Sequence, residues 1–117
     1  MKYDESMGLV TISKKAIAQL AQKIARSCEG VADLTDRSGK DEMSRLLTGG
    51  VKGVYISREK GKISAEIYII CRYGADVAAI QEQITEGLTV ELGEIGIKTG
   101  SVTVYAAGAR NVREVHS

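Results

Sequence analysis

The segment Lys62–Arg72 alternates apolar and polar residues along its whole length. A period of two puts successive side chains on opposite faces of a sheet, so this pattern predicts a β-strand with one buried face. The residues of the apolar face are Ile63, Ala65, Ile67, Ile69 and Cys71. The rest of the chain must supply the layer that covers them.

A second strand, residues 54–58, precedes the first across the dipeptide Lys60-Gly61. A two-residue connection of this kind is typical of a β-hairpin. The hairpin register predicts apolar pairs on one face and Tyr55 opposite Glu66 on the other. The predicted apolar pairs are Val54 with Ile67 and Ile56 with Ala65.

Two other segments have helical spacing of their apolar residues. Ser13 is a suitable N-cap for the first helix and Gly30 a suitable terminator, while Asp76 caps the second. Gly87 costs the second helix about 1 kcal/mol relative to Ala. We therefore expect another backbone to approach there, next to small residues of the first helix. Those small residues are Ala18, Ala21 and Ala25. The apolar stripe of the first helix consists of Ile17, Leu20, Ala21, Ile24 and Cys28. The apolar stripe of the second helix consists of Val77, Ile80, Ile84, Leu88 and Leu92.

Extended segments are also predicted at 9–12, briefly at 30–34, and at 101–106, where Val102, Val104 and Ala106 share one face. Residues 35–53 are rich in Ser, Gly and charge, with a short amphipathic turn or two at 42–47. An excursion of this length in a small domain is either functional or mobile. The order of elements predicts an α+β two-layer sandwich, with a mostly antiparallel sheet and two helices packed on one face. Residues 1–117 form one domain, with 8–108 structured and 1–7 and 109–117 as frayed tails.

The composition excludes several classes of protein. Sixteen Lys and Arg against fifteen Asp and Glu give a net charge of +1, so no overall field attracts nucleic acid or anionic lipid. No stretch approaches the roughly 18 apolar residues of a membrane span, and the N-terminus has no signal-peptide core. The sequence indicates a cytoplasmic protein without direct membrane insertion.

Candidate chemistry is sparse. His116 is the only histidine and lies in the polar tail, while Cys28 and Cys71 each lie on a predicted apolar face. A nucleophile needs a base nearby and zinc needs a tetrahedral set of ligands, and the sequence offers neither. We expect no catalytic residue, cofactor or metal, and we interpret both thiols as reduced core residues.

One glycine motif suggests an alternative function. Gly50-Val-Lys-Gly53 matches the Gly-x-x-Gly loop with which KH domains clamp a nucleic-acid backbone, and Lys52 supplies a charge for a phosphate. In KH domains, however, that loop joins two helices, whereas here a strand begins at Val54. The alternative to an RNA contact by Gly50, Lys52 and Gly53 is a loop whose glycines let the chain turn.

The outward face of the predicted sheet carries a possible interaction surface. Strand parity places five residues on the side away from the helices, namely Tyr55, Tyr68, Ile70, Thr103 and Tyr105. If their strands are neighbours, these residues form a patch of the kind found at protein interfaces. The alternative is a set of scattered surface aromatics, because strand order does not follow from the sequence.

Several short motifs are spread over about residues 8–108. They are Gly8-Leu-Val-Thr-Ile-Ser13, Glu29-Gly-Val-Ala32, Gly53-Val-Tyr-Ile56, Arg72-Tyr-Gly74, Thr99-Gly100 and Val102-Thr-Val104. Together these motifs resemble the alkaline shock protein family of Gram-positive bacteria, the envelope stress response group. Glu29 stands where the family often has proline, and the proline common after Tyr-Gly is absent.

This resemblance implies a non-enzymatic cytosolic protein of cell-envelope homeostasis, held at the membrane in some members by an anchor protein. It carries over no catalytic residue. Because the sequence offers no catalytic set and the sheet carries a tyrosine face, we expect a homo-oligomer that acts through protein partners near the membrane.

Overall fold

The computed structural model describes residues 12–111, and within that range it contains three helices and four strands. The predicted segment at 9–12 lies outside the described residues except for Ile12. In chain order the elements are α1 (Lys14–Ser27), β1 (Val31–Leu34), α2 (Gly39–Thr48), β2 (Val54–Glu59), β3 (Lys62–Arg72), α3 (Val77–Glu94) and β4 (Lys98–Arg110).

Strand β3 is the centre of the sheet. It pairs antiparallel with β2 in the predicted register, which aligns Val54 with Ile67 and Tyr55 with Glu66. On its other side it pairs with β4, and this pairing is parallel because helix α3 carries the chain back across the sheet before β4 begins. The hairpin prediction is confirmed.

Strands β1 and β2 lie end to end along the same side of β3. β1 pairs antiparallel with residues 69–71 of β3, and β2 with residues 62–67. Between them, the Tyr68 N–H donates to the Gly53 carbonyl at 2.8 Å, and the Tyr68 carbonyl accepts from the Thr35 N–H at 3.0 Å. The chain thus leaves the sheet after Thr35 and returns at Gly53, and residues 36–52, with α2, form an excursion from one interrupted strand.

Helices α1 and α3 cover one face of the sheet and complete a single core. Ser13 caps α1 through a 3.0 Å bond from the Ala16 N–H, and Asp76 caps α3 through a 3.1 Å bond from the Ala79 N–H. The α3 stripe contributes Ile80, Ile84, Leu88 and Leu92 to the core, while α1 contributes Ile17, Ala18, Ala21 and Ala25. The predicted two-layer α+β fold is confirmed.

Three local predictions need correction. Helix α2 has ten residues rather than a turn or two. Strand β4 starts before and ends after the predicted 101–106, because its ladder with β3 runs from Lys98 to Arg110. Val102, Val104 and Ala106 do share one face, as predicted, although Ala106 is exposed. A Cβ added at Gly87 would lie 3.2 Å from Cγ2 of Ile24, so a side chain and not a backbone approaches there.

Candidate interaction surface

Three tyrosines lie side by side on the sheet face that α1 and α3 leave uncovered. The rings of Tyr68 and Tyr105 stack with centroids 4.6 Å apart and planes inclined by 18°. The ring of Tyr55 meets Tyr68 edge-on, at 5.7 Å and 88°. We call Tyr55, Tyr68 and Tyr105 the tyrosine row, which crosses three adjacent strands.

The sheet register explains this arrangement. Tyr68 and Tyr105 are direct partners in the parallel ladder between β3 and β4. Tyr55 is the partner of Glu66 in the antiparallel ladder, which places it diagonally from Tyr68. The sequence predicted the shared face, and the structure supplies the strand order that makes the residues neighbours.

The other two residues predicted for this surface also lie beside the row. Ile70 is half-buried on β3, opposite Gly108 of β4, and Thr103 is exposed on β4 next to Glu66. Because Gly108 has no side chain, Ile70 has no apolar partner at the directly opposite position. All five predicted residues therefore share one surface.

Arg37 is a member of this surface that sequence reasoning missed. Its guanidinium carbon lies 4.0 Å from the centre of the Tyr55 ring, and its backbone N–H donates to the Tyr55 hydroxyl at 2.9 Å. Its side chain also bonds to Asp41 at 2.7 Å and Glu66 at 3.3 Å. Arg37 thus joins the excursion to one end of the tyrosine row and covers part of Tyr55.

Tyr55 and Tyr68 stay protonated at neutral pH. Burial raises the pKa of Tyr55 and of Tyr68, and the neighbouring Glu66 carboxylate raises the pKa of Tyr68 further. Asp41 raises the pKa of Arg37 through their hydrogen bond, which in turn lowers the pKa of Asp41. Tyr55 and Tyr68 therefore present neutral hydroxyls next to the Arg37 cation.

The excursion is held to the domain through the polar side of α2. The carboxylate of Asp36, whose side chain is 7% exposed, accepts from Nε of Arg45 at 2.9 Å. The same carboxylate accepts from the Gly53 N–H at 3.1 Å. One buried group thus joins the start, the helix and the end of the excursion.

Helix α2 consequently turns its apolar side to solvent. It buries no residue, and Met43, Leu46 and Leu47 are 64%, 68% and 81% exposed. This arrangement reverses the usual orientation of an amphipathic helix on a domain. The sequence showed the amphipathic pattern, but the direction of docking depends on Asp36 and Arg37, which lie outside the helix.

The Gly-x-x-Gly loop is engaged within the domain. Gly53 is buried, and a Cβ there would lie 2.9 Å from both Cβ of Leu34 and the Thr35 carbonyl oxygen. Because its N–H is bonded to Asp36, that amide is not free to bind a phosphate. The geometry gives the RNA alternative no support, and that alternative stays a prediction.

The charge of Lys52 is used at an ion cluster on β1. Asp33 lies 3.3 Å from Arg26, 3.6 Å from Lys52 and 3.9 Å from Arg110. Burial alone would raise the pKa of Asp33, but the Leu34 N–H and these cations together lower it. A single carboxylate thus ties α1, the excursion and the end of β4 together.

The two thiols are placed in and beside the core. Cys71 is buried and Cys28 is half-buried, with its Sγ donating to the Ile24 carbonyl at 3.4 Å. Burial raises the pKa of both thiols. Each is thus less ionised than a free cysteine, which is unfavourable for a nucleophile.

Within residues 12–111 no helix is long and apolar enough to cross a membrane. Over the same range no three His, Cys, Asp or Glu side chains are grouped so as to hold a metal ion. His116 lies outside the described residues.

A family model matches almost the whole chain. Residues 2–111 match the alkaline shock protein 23 (ASP23) family, described as having a cell envelope-related function. The chain is 26% identical over 107 residues to the uncharacterized protein YloU of Bacillus subtilis, covering 88% of this chain and 89% of YloU. It is also 26% identical over 118 residues to the uncharacterized protein Spy1614 of Streptococcus pyogenes, covering 97% and 98%.

A solved structure of the MamM CTD has a similar fold. It superposes with a TM-score of 0.52 at 14% identity, covering 89% of this chain and 88% of that one. At this identity the likeness shows the fold alone.

Proposed function

The chain belongs to the alkaline shock protein 23 family, whose function is cell envelope-related, and we propose that it serves there as a non-enzymatic structural protein. In this proposal it associates with itself and binds protein partners. It lies in the cytoplasm and reaches the membrane through a partner such as an anchor protein.

The tyrosine row is the observation that carries the proposal. Among residues 12–111, α1 and α3 cover one face of the sheet, and the other face presents neighbouring aromatic rings, with Tyr105 41% exposed. Tyrosine is enriched at protein interfaces because its ring buries a large area and its hydroxyl stays satisfied by water or a partner. Because the rings of Tyr68 and Tyr105 already stack on each other, their binding to a partner loses little side-chain entropy.

The free edge of β4 supports self-association in particular. Among the described residues β4 pairs only with β3, and it carries no charge between Lys98 and Arg110. Proteins usually protect an exposed edge with charge, proline or a short strand. The opposite edge has such protection, because β2 has six residues and ends in Arg58-Glu59.

Size measurement of tyrosine variants tests self-association. We expect Tyr68→Ser and Tyr105→Ser, separately and together, to reduce the mass measured by light scattering. Tyr73→Ser is the matched control, because Tyr73 is 68% exposed and lies outside the tyrosine row. Circular dichroism must show the native spectrum in each variant. A wild-type monomer, or equal masses for folded variants and wild type, would contradict self-association through this face.

The proposed binding of protein partners needs a separate experiment. Mild crosslinking in the native cell, followed by capture of the wild-type protein and of the Tyr68→Ser/Tyr105→Ser variant, compares what each retains. We expect proteins held by the wild type and by Tyr73→Ser to be lost from the double variant. Identical captured sets would count against the tyrosine row as the partner surface.

A further inference from the structure

A cavity of about 450 Å³ opens at the end of the sheet where the β2–β3 turn meets the start of β4. Four basic side chains line it, namely Arg58, Lys60, Lys62 and Lys98, and none of the lining residues within 12–111 is acidic. Such a concentration of one charge sign in a cleft raises the local concentration of anions, even in a protein of small net charge.

The sheet register forces two of these cations together. Lys62 and Lys98 are direct partners in the parallel ladder between β3 and β4. Like charges at directly opposed positions destabilise a sheet. A local conflict of this kind in an otherwise consistent fold is expected where a site serves function.

The four cavity cations also lack the carboxylate partners that several other arginines and lysines of residues 12–111 have. Arg26, Lys52 and Arg110 approach Asp33, while Arg37 pairs with Asp41 and Arg45 with Asp36. Among residues 12–111, no ion pair joins a cavity cation to a carboxylate. Glu59 is the β2 partner of Lys62 in the ladder, but it is not among the residues that line the cavity.

Apolar side chains form another part of the lining. Ile63 is buried and Ile12 and Ile97 are half-buried, and all three contribute to the cavity surface. Arg58 is held at this site by donating to the Ile12 carbonyl at 3.2 Å. The cavity therefore combines several hydrogen-bond donors of positive charge with hydrocarbon.

We propose that this cavity binds a phosphate group attached to an organic moiety, with the cations on the phosphate oxygens and the isoleucines beside the attached carbon chain. Several converging cations suit a phosphate, because it carries more charge and more acceptor oxygens than a single carboxylate, and an arginine can bind it bidentately. A soluble phosphomonoester and the headgroup of an anionic phospholipid both supply this chemistry. This proposal does not depend on the tyrosine row or on self-association.

The test uses the full chain and two kinds of probe. Glycerol 1-phosphate is titrated against ¹⁵N-labelled protein, and sedimentation is measured with phosphatidylcholine vesicles, pure or mixed about three to one with phosphatidylglycerol. We expect binding to at least one of the phosphate probes and none to pure phosphatidylcholine. Shifts in the amides of Gly61, Ile63 and Lys98 locate the soluble ligand in the cavity.

Charge-matched variants separate a site from general attraction. Lys62→Gln/Lys98→Gln removes two cavity cations, and Lys23→Gln/Lys40→Gln removes two exposed lysines elsewhere. We expect the first pair to weaken binding by at least about tenfold, since each lost charged hydrogen bond is costly, and the second pair to change it little. Arg58→Gln gives a second cavity variant should the first fail to fold.

Each outcome decides the proposal. Glycerol 1-phosphate binding that the cavity variants weaken supports a soluble phosphomonoester. Vesicle binding alone, with the same sensitivity, supports a lipid headgroup. The proposal is overturned if neither probe binds, or if the cavity and control variants weaken binding equally.

Discussion

Nε of Arg45 donates to the carboxylate of Asp36 over 2.9 Å, and this pair joins the helix of the excursion to the segment where the chain leaves the sheet. Asp36 is also the acceptor for the Gly53 N–H, so its carboxylate serves two donors from different segments. Helix α2 adds nothing to the core, and its position therefore depends on a few polar contacts.

Removing the Asp36 carboxylate is expected to loosen the excursion. Asp36→Ala leaves the Arg45 guanidinium and the Gly53 N–H without their acceptor, at a cost of about 2–3 kcal/mol in the free energy of unfolding. Urea unfolding measures that cost, and hydrogen exchange should be faster within residues 36–52. Asp41→Ala removes an exposed ion pair with Arg37 and is expected to cost less. Equal losses for the two variants would show that Asp36 has no special role.

The exposed leucines of α2 are expected to be dispensable for stability. Leu47→Ser should leave the unfolding midpoint unchanged, because this side chain is 81% exposed. Leu88→Ala, at a fully buried position of α3, should cost about 2–5 kcal/mol through the cavity it leaves. Chemical denaturation of both variants provides the comparison. A large loss for Leu47→Ser would mean that α2 packs by its apolar side.

Two glycines with the same backbone conformation separate steric from conformational cost. Gly53 has φ +76° and Gly61 has φ +78°, but a Cβ meets backbone within 3.0 Å only at Gly53. Gly61→Ala should cost about 1 kcal/mol for the left-handed conformation, whereas Gly53→Ala should cost about 3 kcal/mol or more because atoms of Leu34 and Thr35 must move. Thermal unfolding distinguishes them, and equal shifts would contradict the close approach.

The thiols give a prediction on pH. Their pKa values are raised above the ordinary 9.0, so the folded protein holds these protons more tightly than the unfolded chain. The contribution of the two thiols to the free energy of unfolding is therefore fully present below about pH 9. It is lost as the pH rises through the thiol pKa of the unfolded chain and then that of the folded protein. Urea midpoints between pH 7 and 10 test this, with Cys28→Ser/Cys71→Ala expected to flatten the profile up to the onset of tyrosine ionisation.

Alkylation rates provide a second test of the burial of Cys28 and Cys71. Iodoacetamide should modify Cys71 only after denaturation, because that side chain is 3% exposed. Cys28 should react more slowly than a free cysteine, since its raised pKa lowers the thiolate fraction. Rapid labelling of either thiol in the folded protein would reopen a chemical role for it.

The sequence determined the hairpin and both core helices because their signals are local. The pairing of Val54 with Ile67 follows from the turn, and the Ile80–Leu92 stripe follows from helical spacing. The parallel placement of β4 beside β3 was out of reach, since it depends on how α3 crosses the sheet. The roles of Arg37 and Asp36 could not be predicted either. Both residues lie in an irregular segment, and both contact residues distant in the chain, Glu66 for Arg37 and Gly53 for Asp36.

The close approach of Thr35 and Gly53 makes the edge of this sheet a natural grafting point. A short linker could replace residues 38–50 while β1 and β2 kept their pairing with β3, Asp36 its bond from the Gly53 N–H and Val51 its packing against the core. Foreign peptides inserted at the same place would be displayed beside the tyrosines. The sheet with its two packed helices and the inserted segment can thus be redesigned separately.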